Sequence, residues 1–267
     1  MTKGTVYSIE GGKVREIDLP SVFETEYRPD LIKRAALVVQ SRKKQAKGAD
    51  PMAGRKNTAM YQGSRKKPAP HKIINSGVAR KRHLKNRRFL LYGQVAGFPG
   101  TKGGPDAHPP QAKEIYWESI NIKEKKLAIK SAIAATGNKI IVFGRGSHIP
   151  TDLHLPIIIE DKFEELERTK DVEMVLEKMN LLEQVERAKG AKKVRAGKGT
   201  KRNRQYKRKK SLLIVTSKKS KLLNAAKNLE GVQICEARNL NADLLAPGTK
   251  AGRLTIYSEG AIKQLKG

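Results

Sequence analysis

The chain has 267 residues, and its 56 lysines and arginines against 26 aspartates and glutamates give a formal net charge of +30. This excess predicts a polyanionic partner, because a chain so highly charged repels itself in isolation. A single cysteine, Cys235, excludes internal disulfides and multi-cysteine zinc sites, and an aromatic content of 5% argues against a protein that works mainly by stacking on bases.

The amino-terminal part predicts a hairpin followed by a helix. Residues 5–9 and 14–17 have strand-like sequences and flank a turn that contains Gly11 and Gly12. Pro29 is a suitable residue for the first turn of a helix. No apolar run is long enough to span a membrane, and no signal peptide is recognisable at the start of the sequence. We therefore expect an intracellular protein in a reducing compartment.

Residues 42–102 are the most unusual part of the sequence, with 17 lysines and arginines and one acidic residue, Asp50. The segment is rich in glycine and proline and has no helical or strand period, so we expect it to pack no core of its own. We interpret residues 48–110 as an extended basic loop inserted into a globular domain formed by residues 1–47 and 111–267. This loop should be disordered in the free protein and become ordered on binding RNA.

Regular patterns return after the loop. Asn121 and Glu124 have the spacing of a capping box at the start of a helix. Ile122, Ile129 and Ile133 would lie on the apolar face of this helix, and Gly137 is a suitable end for it. The sequence therefore predicts a helix directly after the loop rejoins the domain.

Four short apolar runs, residues 140–143, 157–159, 212–215 and 254–257, have the β-branched composition of buried parallel strands. Helical patterns at 172–179, 222–229 and 258–265 alternate with them. The alternation predicts an α/β fold, with a mainly parallel sheet that has helices on both faces and carries the long basic loop. Trp117 and Cys235 are predicted to pack in the core.

A second basic run, residues 187–210, contains 13 lysines and arginines and no acidic residue, and it follows an acid-rich stretch at 160–186. A single basic run is often a solvated tail or a localisation signal. Two internal runs that both adjoin folded elements favour a binding surface for a polyanion, and RNA is the partner that best fits an arm of this length.

Signals for catalysis, metals and cofactors are weak. The GKGT sequence at 197–200 lacks the glycine that a phosphate-binding loop has five residues before its Gly-Lys pair. The GRGS sequence at 144–147 lacks the third glycine of a dinucleotide-binding fingerprint. The five histidines form no His-x-x-x-His pair and have no neighbouring cysteine. We predict a protein that is not an enzyme and that needs no metal or cofactor.

The candidate RNA-binding residues are the cations of the two basic runs, together with two histidines of the loop. Arginine is the better bidentate ligand of phosphate, so the arginines should contribute most. The set in the loop and its base is Arg42, Lys43, Lys44, Arg55, Lys56, Arg65, Lys66, Lys67, His71, Lys72, Arg80, Lys81, Arg82, His83, Lys85, Arg87, Arg88 and Lys102. The set in the second run is Arg195, Lys198, Lys201, Arg202, Arg204, Lys207 and Arg208.

Five sequence patches extend from the end of the loop nearly to the carboxyl terminus and resemble a known family. They are GG at 103–104 with AHPP at 107–110, KLAIKSAIAAT at 126–136, LPIIIED at 155–161, RAGKGTKRNR at 195–204, and NADLLAPG at 241–248 with GRL at 252–254. In order and spacing they resemble the archaeal and eukaryotic branch of the large-subunit ribosomal protein family called L four (universal uL four).

The resemblance implies a structural, non-catalytic protein of the large ribosomal subunit in the cytoplasm. It implies an α/β domain on the outer surface of the subunit and a loop that passes through the ribosomal RNA to the wall of the peptide exit tunnel, with its tip near residues 63–78. It also implies large-subunit ribosomal RNA and neighbouring ribosomal proteins as partners, with the nascent peptide as a further one at the tip. Pro105 and Asp106 depart from the family pattern, so no RNA contact is carried over to them.

Two other functions stay open on the sequence alone. An RNA-modifying enzyme of doubly wound fold would use the loop as a substrate arm, but it would need a cofactor pocket for which no glycine fingerprint is present. Regulation of the protein's own messenger RNA is the other, and the sequence neither favours nor excludes it.

Overall fold

The computed structural model describes residues 3–61, 73–74, 77–86, 90–150 and 153–265. The chain divides into two compact units. The first, the α/β unit, consists of Met1–Lys43 and Trp117–Gly267, and the second, the basic unit, is Lys44–Tyr116. The predicted loop, residues 48–110, lies inside the basic unit.

The α/β unit is built on a mostly parallel sheet. Its six strands have the order β2-β1-β3-β8-β6-β7, in which β1 and β2 form an antiparallel hairpin and every other neighbouring pair is parallel. A separate antiparallel pair, β4 and β5, lies in the second basic run. The strands in the described part of the chain are β1 Lys3–Tyr7, β2 Lys13–Asp18, β3 Ile157–Ile159, β4 Lys193–Val194, β5 Tyr206–Lys207, β6 Leu213–Thr216, β7 Gln233–Glu236 and β8 Thr255–Ser258.

Helices connect the strands, together with short 3₁₀ turns at Ser21–Glu24, Asp161–Glu165, Ala237–Asn239 and Pro247–Thr249. The α-helices of the described residues are α1 Pro29–Arg42, α2 Ile122–Gly137, α3 Lys139–Gly144, α4 Thr169–Lys178, α5 Leu182–Gly190, α6 Lys198–Lys201, α7 Leu222–Lys227, α8 Ala242–Leu245 and α9 Glu259–Gln264. Among these helices, none combines the length and the apolar character needed to cross a membrane.

The sheet has a hydrophobic core on each face, as the alternation of side chains along β3 shows. Ile157 and Ile159 pack with α4, α5 and α7 on one face. Ile158 packs with α1, α2 and α9 on the other face. Helices therefore cover both faces of the sheet, and the predicted α/β class is confirmed.

Three of the four predicted strands are confirmed, at residues 157–159, 212–215 and 254–257, within one residue of their ends. The amino-terminal hairpin and the helices that begin at Pro29 and after Ser258 are confirmed as well. Cys235 is buried, as predicted, but it lies in a strand, β7, that the sequence analysis did not identify. Burial raises the pKa of its thiol to about 11.

The fourth predicted strand, residues 140–143, is wrong, because these residues form α3. The side chain of Asn138 caps this helix by accepting a hydrogen bond from the backbone N–H of Ile140 at 2.9 Å. Val142 is fully buried, whereas Ile140 and Phe143 are 82% and 70% exposed. A strand in the middle of the sheet would bury all of them, but an exposed short helix buries one side only.

Three predicted details at and before α2 are also corrected. Asn121 is the N-cap residue of α2, but its side chain makes no capping hydrogen bond, and Glu124 forms an ion pair with Arg34 at 3.2 Å. Ile122 is exposed to solvent because it precedes the turns of α2 that pack on the sheet. Trp117 is 53% exposed and is therefore not a core residue.

The corrected assignment of α3 predicts unequal effects of two truncations. Val142→Ala should lower the free energy of unfolding by about 2 kcal/mol, because it removes buried methyl groups and leaves a cavity. Ile140→Ala should change it by less than about 0.5 kcal/mol, because that side chain already faces water. Denaturant titration of the two variants measures both values, and equal losses would contradict the helical assignment.

Gly252 and Gly248 provide a matched pair for a second test. Both have a positive φ, 82° and 74°. A Cβ atom at Gly252 would lie 2.7 Å from the carbonyl oxygen of Ile141, whereas a Cβ atom at Gly248 would have no atom within 4 Å. Gly248→Ala should therefore cost about 1–2 kcal/mol of stability from the backbone conformation alone.

Gly252→Ala should cost about 1–3 kcal/mol more than Gly248→Ala, because α3 must move away from the new methyl group. The difference between the two unfolding free energies isolates this packing effect. Identical losses in the two variants would show that α3 does not approach the backbone at Gly252.

Candidate nucleic-acid interface

The basic unit is held together by backbone hydrogen bonds that bring distant segments side by side. His83 forms antiparallel bridges with both Met60 and Val95, and the N–H of Met60 donates to the carbonyl oxygen of His83 at 3.0 Å. At the two ends of the segment, the N–H of Ala49 donates to the carbonyl oxygen of Pro110 at 2.9 Å. The described parts of the basic segment thus fold back on themselves.

This unit has little apolar core. Among its described residues, only Ile73, His83, Gly97 and Pro105 are buried. Its segments instead approach through their backbones: a Cβ atom at Gly54 would lie 2.3 Å from the nitrogen of Pro105. Glycine is required at such a contact, because any side chain would push the two segments apart.

His83, one of the predicted RNA ligands, has contacts within the chain. The residue is 7% exposed, and its ring nitrogens lie 2.6 Å from the carbonyl oxygen of Gly93 and 2.7 Å from that of Ala79. Neither nitrogen is left to bind a phosphate. His83 therefore ties together the backbone of the basic unit, and a direct contact between its ring and RNA stays a prediction.

The described cations of the basic unit are mostly exposed and without acidic partners. Lys56 pairs with Asp50, and this hydrogen bond lowers the pKa of the Asp50 carboxyl. The ammonium of Lys81 lies 5.0 Å from the ring centre of Phe98, a cation–π arrangement that leaves its charge uncompensated. Further exposed cations that make no ion pair with any carboxylate that the structure describes include Arg55, Arg80, Arg82 and Lys102.

Lys85 is half-buried. Most of the predicted tip at 63–78 falls outside the described residues. The predicted ligands of the loop that also fall outside them are Arg65, Lys66, Lys67, His71, Lys72, Arg87 and Arg88.

At the end of α1, Lys43 is already neutralised. It forms an ion pair with Asp243, which also accepts a hydrogen bond from the side-chain amide of Gln40 at 2.9 Å. Partial burial acts to raise the pKa of Asp243, but these hydrogen bonds and the charge of Lys43 outweigh it and hold the pKa below its ordinary value. Arg42 and Lys44, on either side, are exposed and are better placed than Lys43 to meet a phosphate.

The second basic run folds into a small exposed hairpin, residues 191–210, which we call the basic hairpin. Strands β4 and β5 pair through Lys193 with Lys207 and Val194 with Tyr206, and α6 lies between them. The N–H of Arg195 continues the pairing by donating to the carbonyl oxygen of Gln205 at 2.8 Å. Local backbone hydrogen bonds thus help to hold this basic segment in a defined shape.

All 13 cations of residues 187–210 are exposed. Among the described residues, this run makes one ion pair, between Arg208 and Glu230 at 3.3 Å. Arg195 donates to the carbonyl oxygen of Arg204 at 3.1 Å, and Lys192 lies over the ring of Tyr206. Cations of the run that have no hydrogen bond or ion pair from their side chains to any part of the chain described include Lys198, Lys201, Arg202, Arg204 and Lys207.

The sequence analysis missed two arginines that lie next to this run in the fold. Arg145 and Arg253 line a pocket together with Lys209 and Lys210. Neither arginine belongs to a run of charges, so a search for basic segments does not find them. The sequence did offer one indication. Arg253 is a single charged residue between Gly252 and an apolar strand, and an arginine in such a position is rarely buried unless its side chain has specific partners.

The described residues contain no group of three histidine, cysteine, aspartate or glutamate side chains close enough to hold a metal ion. What the structure assembles is a set of exposed cations on two backbone-stabilised segments, and such groups bind anions rather than metals.

Comparison with known proteins agrees with the resemblance noted in the sequence motifs. Residues 17–267 match the model of the ribosomal protein L4/L1 family. The large ribosomal subunit protein uL4 of Methanocaldococcus jannaschii is 46% identical, in an alignment that covers 99% of this chain and 98% of that protein. The uL4 proteins of Methanoculleus marisnigri and Haloquadratum walsbyi are 46% and 40% identical, over 99% and 98% of this chain and 98% of each relative.

These relatives carry the names of ribosomal proteins and not of enzymes, in agreement with the non-catalytic role predicted from the sequence. Matches that cover almost the whole chain, at this level of identity, show that the chain belongs to the ribosomal protein L4/L1 family.

Proposed function

We propose that this protein is a structural constituent of the large ribosomal subunit that binds large-subunit ribosomal RNA through the basic unit and the run 187–210. The observation that carries the proposal is the state of that run: its 13 cations are all exposed, and one of them has a carboxylate partner among the described residues. A family of ribosomal proteins supplies the polyanion that such a surface requires.

The binding mechanism is neutralisation of phosphate charge. Each lysine or arginine that contacts a phosphate releases condensed counterions from the RNA, so the affinity falls steeply as salt is added. Contacts of this kind position the protein on the RNA without reading its sequence. The many free side chains of the basic hairpin and of Arg55, Arg80 and Arg82 suit this role, because they pay no energy to break internal ion pairs.

The finer placement follows the family resemblance. The loop at 48–110 passes through the ribosomal RNA, and its tip near residues 63–78 lines the wall of the peptide exit tunnel. The thin, glycine-dependent contacts at Gly54 support a backbone that fits between crowded RNA strands. Ribosomal RNA and neighbouring ribosomal proteins are the partners in this arrangement, the nascent peptide is a further partner at the tip, and the location is the ribosome in the cytoplasm.

Replacement of three free cations in the basic hairpin tests the RNA-binding role. In Lys198→Gln/Arg202→Gln/Arg204→Gln, none of the altered side chains has a hydrogen bond or ion pair to lose within the described structure. The slope of log affinity for large-subunit ribosomal RNA against log salt should become shallower by about 2–3, or somewhat less than one for each lost phosphate contact.

A control variant should remove the same charge from the acid-rich part of the α/β unit, with Lys162, Lys170 and Lys178 changed to glutamine. These three lysines are exposed, and the slope should stay at the wild-type value. If both variants lost the same slope, binding would follow the net charge of the chain and not the basic hairpin. If neither variant changed the slope, the hairpin would not contact the RNA.

A further inference from the structure

A strongly cationic pocket lies in the α/β unit where β6 and β8 begin. Its volume is about 330 Å³, which is room for on the order of ten water molecules. Six cations line it, and no carboxylate does: Arg145, Arg187, Lys209, Lys210, Lys250 and Arg253. Three of the six stand outside the basic run, so the fold and not the local sequence brings them together.

Arg253 forms the rigid floor of this pocket. The residue is 1% exposed, and all five of its N–H donors are used. Its Nε donates to Ser211 at 2.8 Å, and the two terminal nitrogens donate to Leu212 at 2.8 Å, Gly231 at 3.2 Å and Leu244 at 2.9 Å, in each case to the carbonyl oxygen. The fifth acceptor is the side-chain oxygen of Gln233 at 2.7 Å.

These acceptors are all neutral, so they satisfy the hydrogen bonds of Arg253 without cancelling its charge. Burial, together with the charge of Arg145, lowers the pKa of Arg253 to about 9. The positive charge fixed beneath the pocket therefore lacks a bonded counter-ion, a costly arrangement for a buried group.

Arg145 is held at the wall in the same way. Its guanidinium donates to the carbonyl oxygens of Pro247 at 2.8 Å, of Ala251 at 3.4 Å and of Lys250. Desolvation lowers its pKa. Two buried or half-buried arginines thus face one pocket, and backbone carbonyls fix both in position.

The remaining cations are free to bind a ligand. Arg187 donates to the carbonyl oxygen of Gly146 and keeps its other N–H groups. The side chains of Lys209 and Lys250 have no hydrogen bond or ion pair in the described part of the chain. Burial and the charges of Arg187 and Arg145 lower the pKa of Lys209, as expected for like charges placed close together.

The carboxylate of Asp243, outside the pocket lining, leaves these positive charges without a bonded counter-ion. Asp243 acts electrostatically on both Arg253 and Lys210, but its own oxygens are bound to Lys43 and Gln40. Six positive charges around a pocket of this size call for an anion from outside the chain, and an anion with several oxygens could bind several donors together.

We propose that this pocket seats one phosphate group of the RNA backbone, with Arg187, Lys209 and Lys250 as its ligands and with Arg145 and Arg253 as the fixed charges behind it. The inference rests on the proposed RNA-binding function and deepens it, because it gives the α/β unit a defined contact point on the RNA in addition to the exposed runs. A free phosphate offers the same oxygen chemistry, so the test must separate the two sources.

The test compares Lys209→Gln/Lys250→Gln with the control Lys218→Gln/Lys219→Gln. The control lysines are exposed and follow β6 at its other end, so the two variants have the same net charge. Unfolding midpoints in chloride first show that both variants fold as the wild type does. Affinity for large-subunit ribosomal RNA is then measured as a function of salt for all three proteins.

The pocket variant should lose about one unit of salt slope, as expected for one lost phosphate contact, while the control keeps the wild-type slope. An unchanged slope in the pocket variant overturns the inference. RNA binding by the wild type is the separate check on the proposed function: if it is absent, that function fails, whereas a pocket variant that binds like the wild type refutes the pocket alone.

Inorganic phosphate is the second probe, added at constant ionic strength in place of chloride. General salt effects on stability are common to all three proteins, so the difference between variants reports the pocket. A rise in unfolding midpoint that is smaller in the pocket variant, together with the loss of RNA slope, supports a seated phosphate group. If phosphate raises the unfolding midpoint less in the pocket variant but the salt slope of RNA affinity is unchanged, the pocket binds free phosphate. That result overturns the assignment of the pocket to RNA.

Discussion

The chain carries far more positive charge than its own carboxylates can neutralise, and its structure separates this charge from its hydrophobic cores. The net charge is +30, yet the sheet of the α/β unit has a hydrophobic cluster on each of its faces. The cations are placed on segments that need no core: a small hairpin held by its own hydrogen bonds and a unit joined through its backbone. The hydrophobic clusters of the sheet therefore stabilise the fold, whereas the basic hairpin and the basic unit carry positive charge that a partner can neutralise.

The α/β unit does more than carry these segments. Its parallel strands begin next to one another, so residues that precede β6 and β8 meet although they are about forty positions apart in the sequence. Arg253 lies at this point, bound by carbonyl groups from three separate segments. A buried arginine whose acceptors are all neutral fixes a positive charge in the fold, and Gly252 lets α3 pack directly beside it. The same geometry that closes the sheet thus creates an anion site.

Much of the fold could be predicted from the sequence because its strands are short, β-branched and bounded by turn residues. Residues 157–159 and 140–143 look alike by that criterion, yet only the first run is a strand. The difference comes from Asn138, whose side chain caps a helix, and from the position of α3 at the edge of the core, where one buried residue, Val142, is enough. In apolar runs of four residues or fewer, hydrophobic periodicity cannot distinguish a strand from a helix. The strand at Cys235 was missed for the opposite reason, because polar residues interrupt its apolar pattern.

The candidate interface was predictable in composition but not in detail. Runs of lysine and arginine identify the two basic segments, since charge without acidic neighbours has few structural uses. They do not show that Lys43 is neutralised by Asp243, that His83 is tied to two carbonyl groups, or that Arg145 and Arg253 line a pocket beside the second run. Each of these facts depends on contacts between residues far apart in the sequence, which only the folded chain brings together. The disorder expected for the free loop remains a prediction.

The most direct test of the central claim is sedimentation of a cell lysate through a sucrose gradient at high salt, with detection of this chain in the fractions. Retention with the large ribosomal subunit is the predicted result, because the proposed passage of the loop through folded RNA holds the chain in place even where salt weakens its phosphate contacts. Recovery of the chain at the top of the gradient, free of the subunit, would contradict the account and leave a salt-sensitive RNA-binding protein in place of an integral ribosomal one.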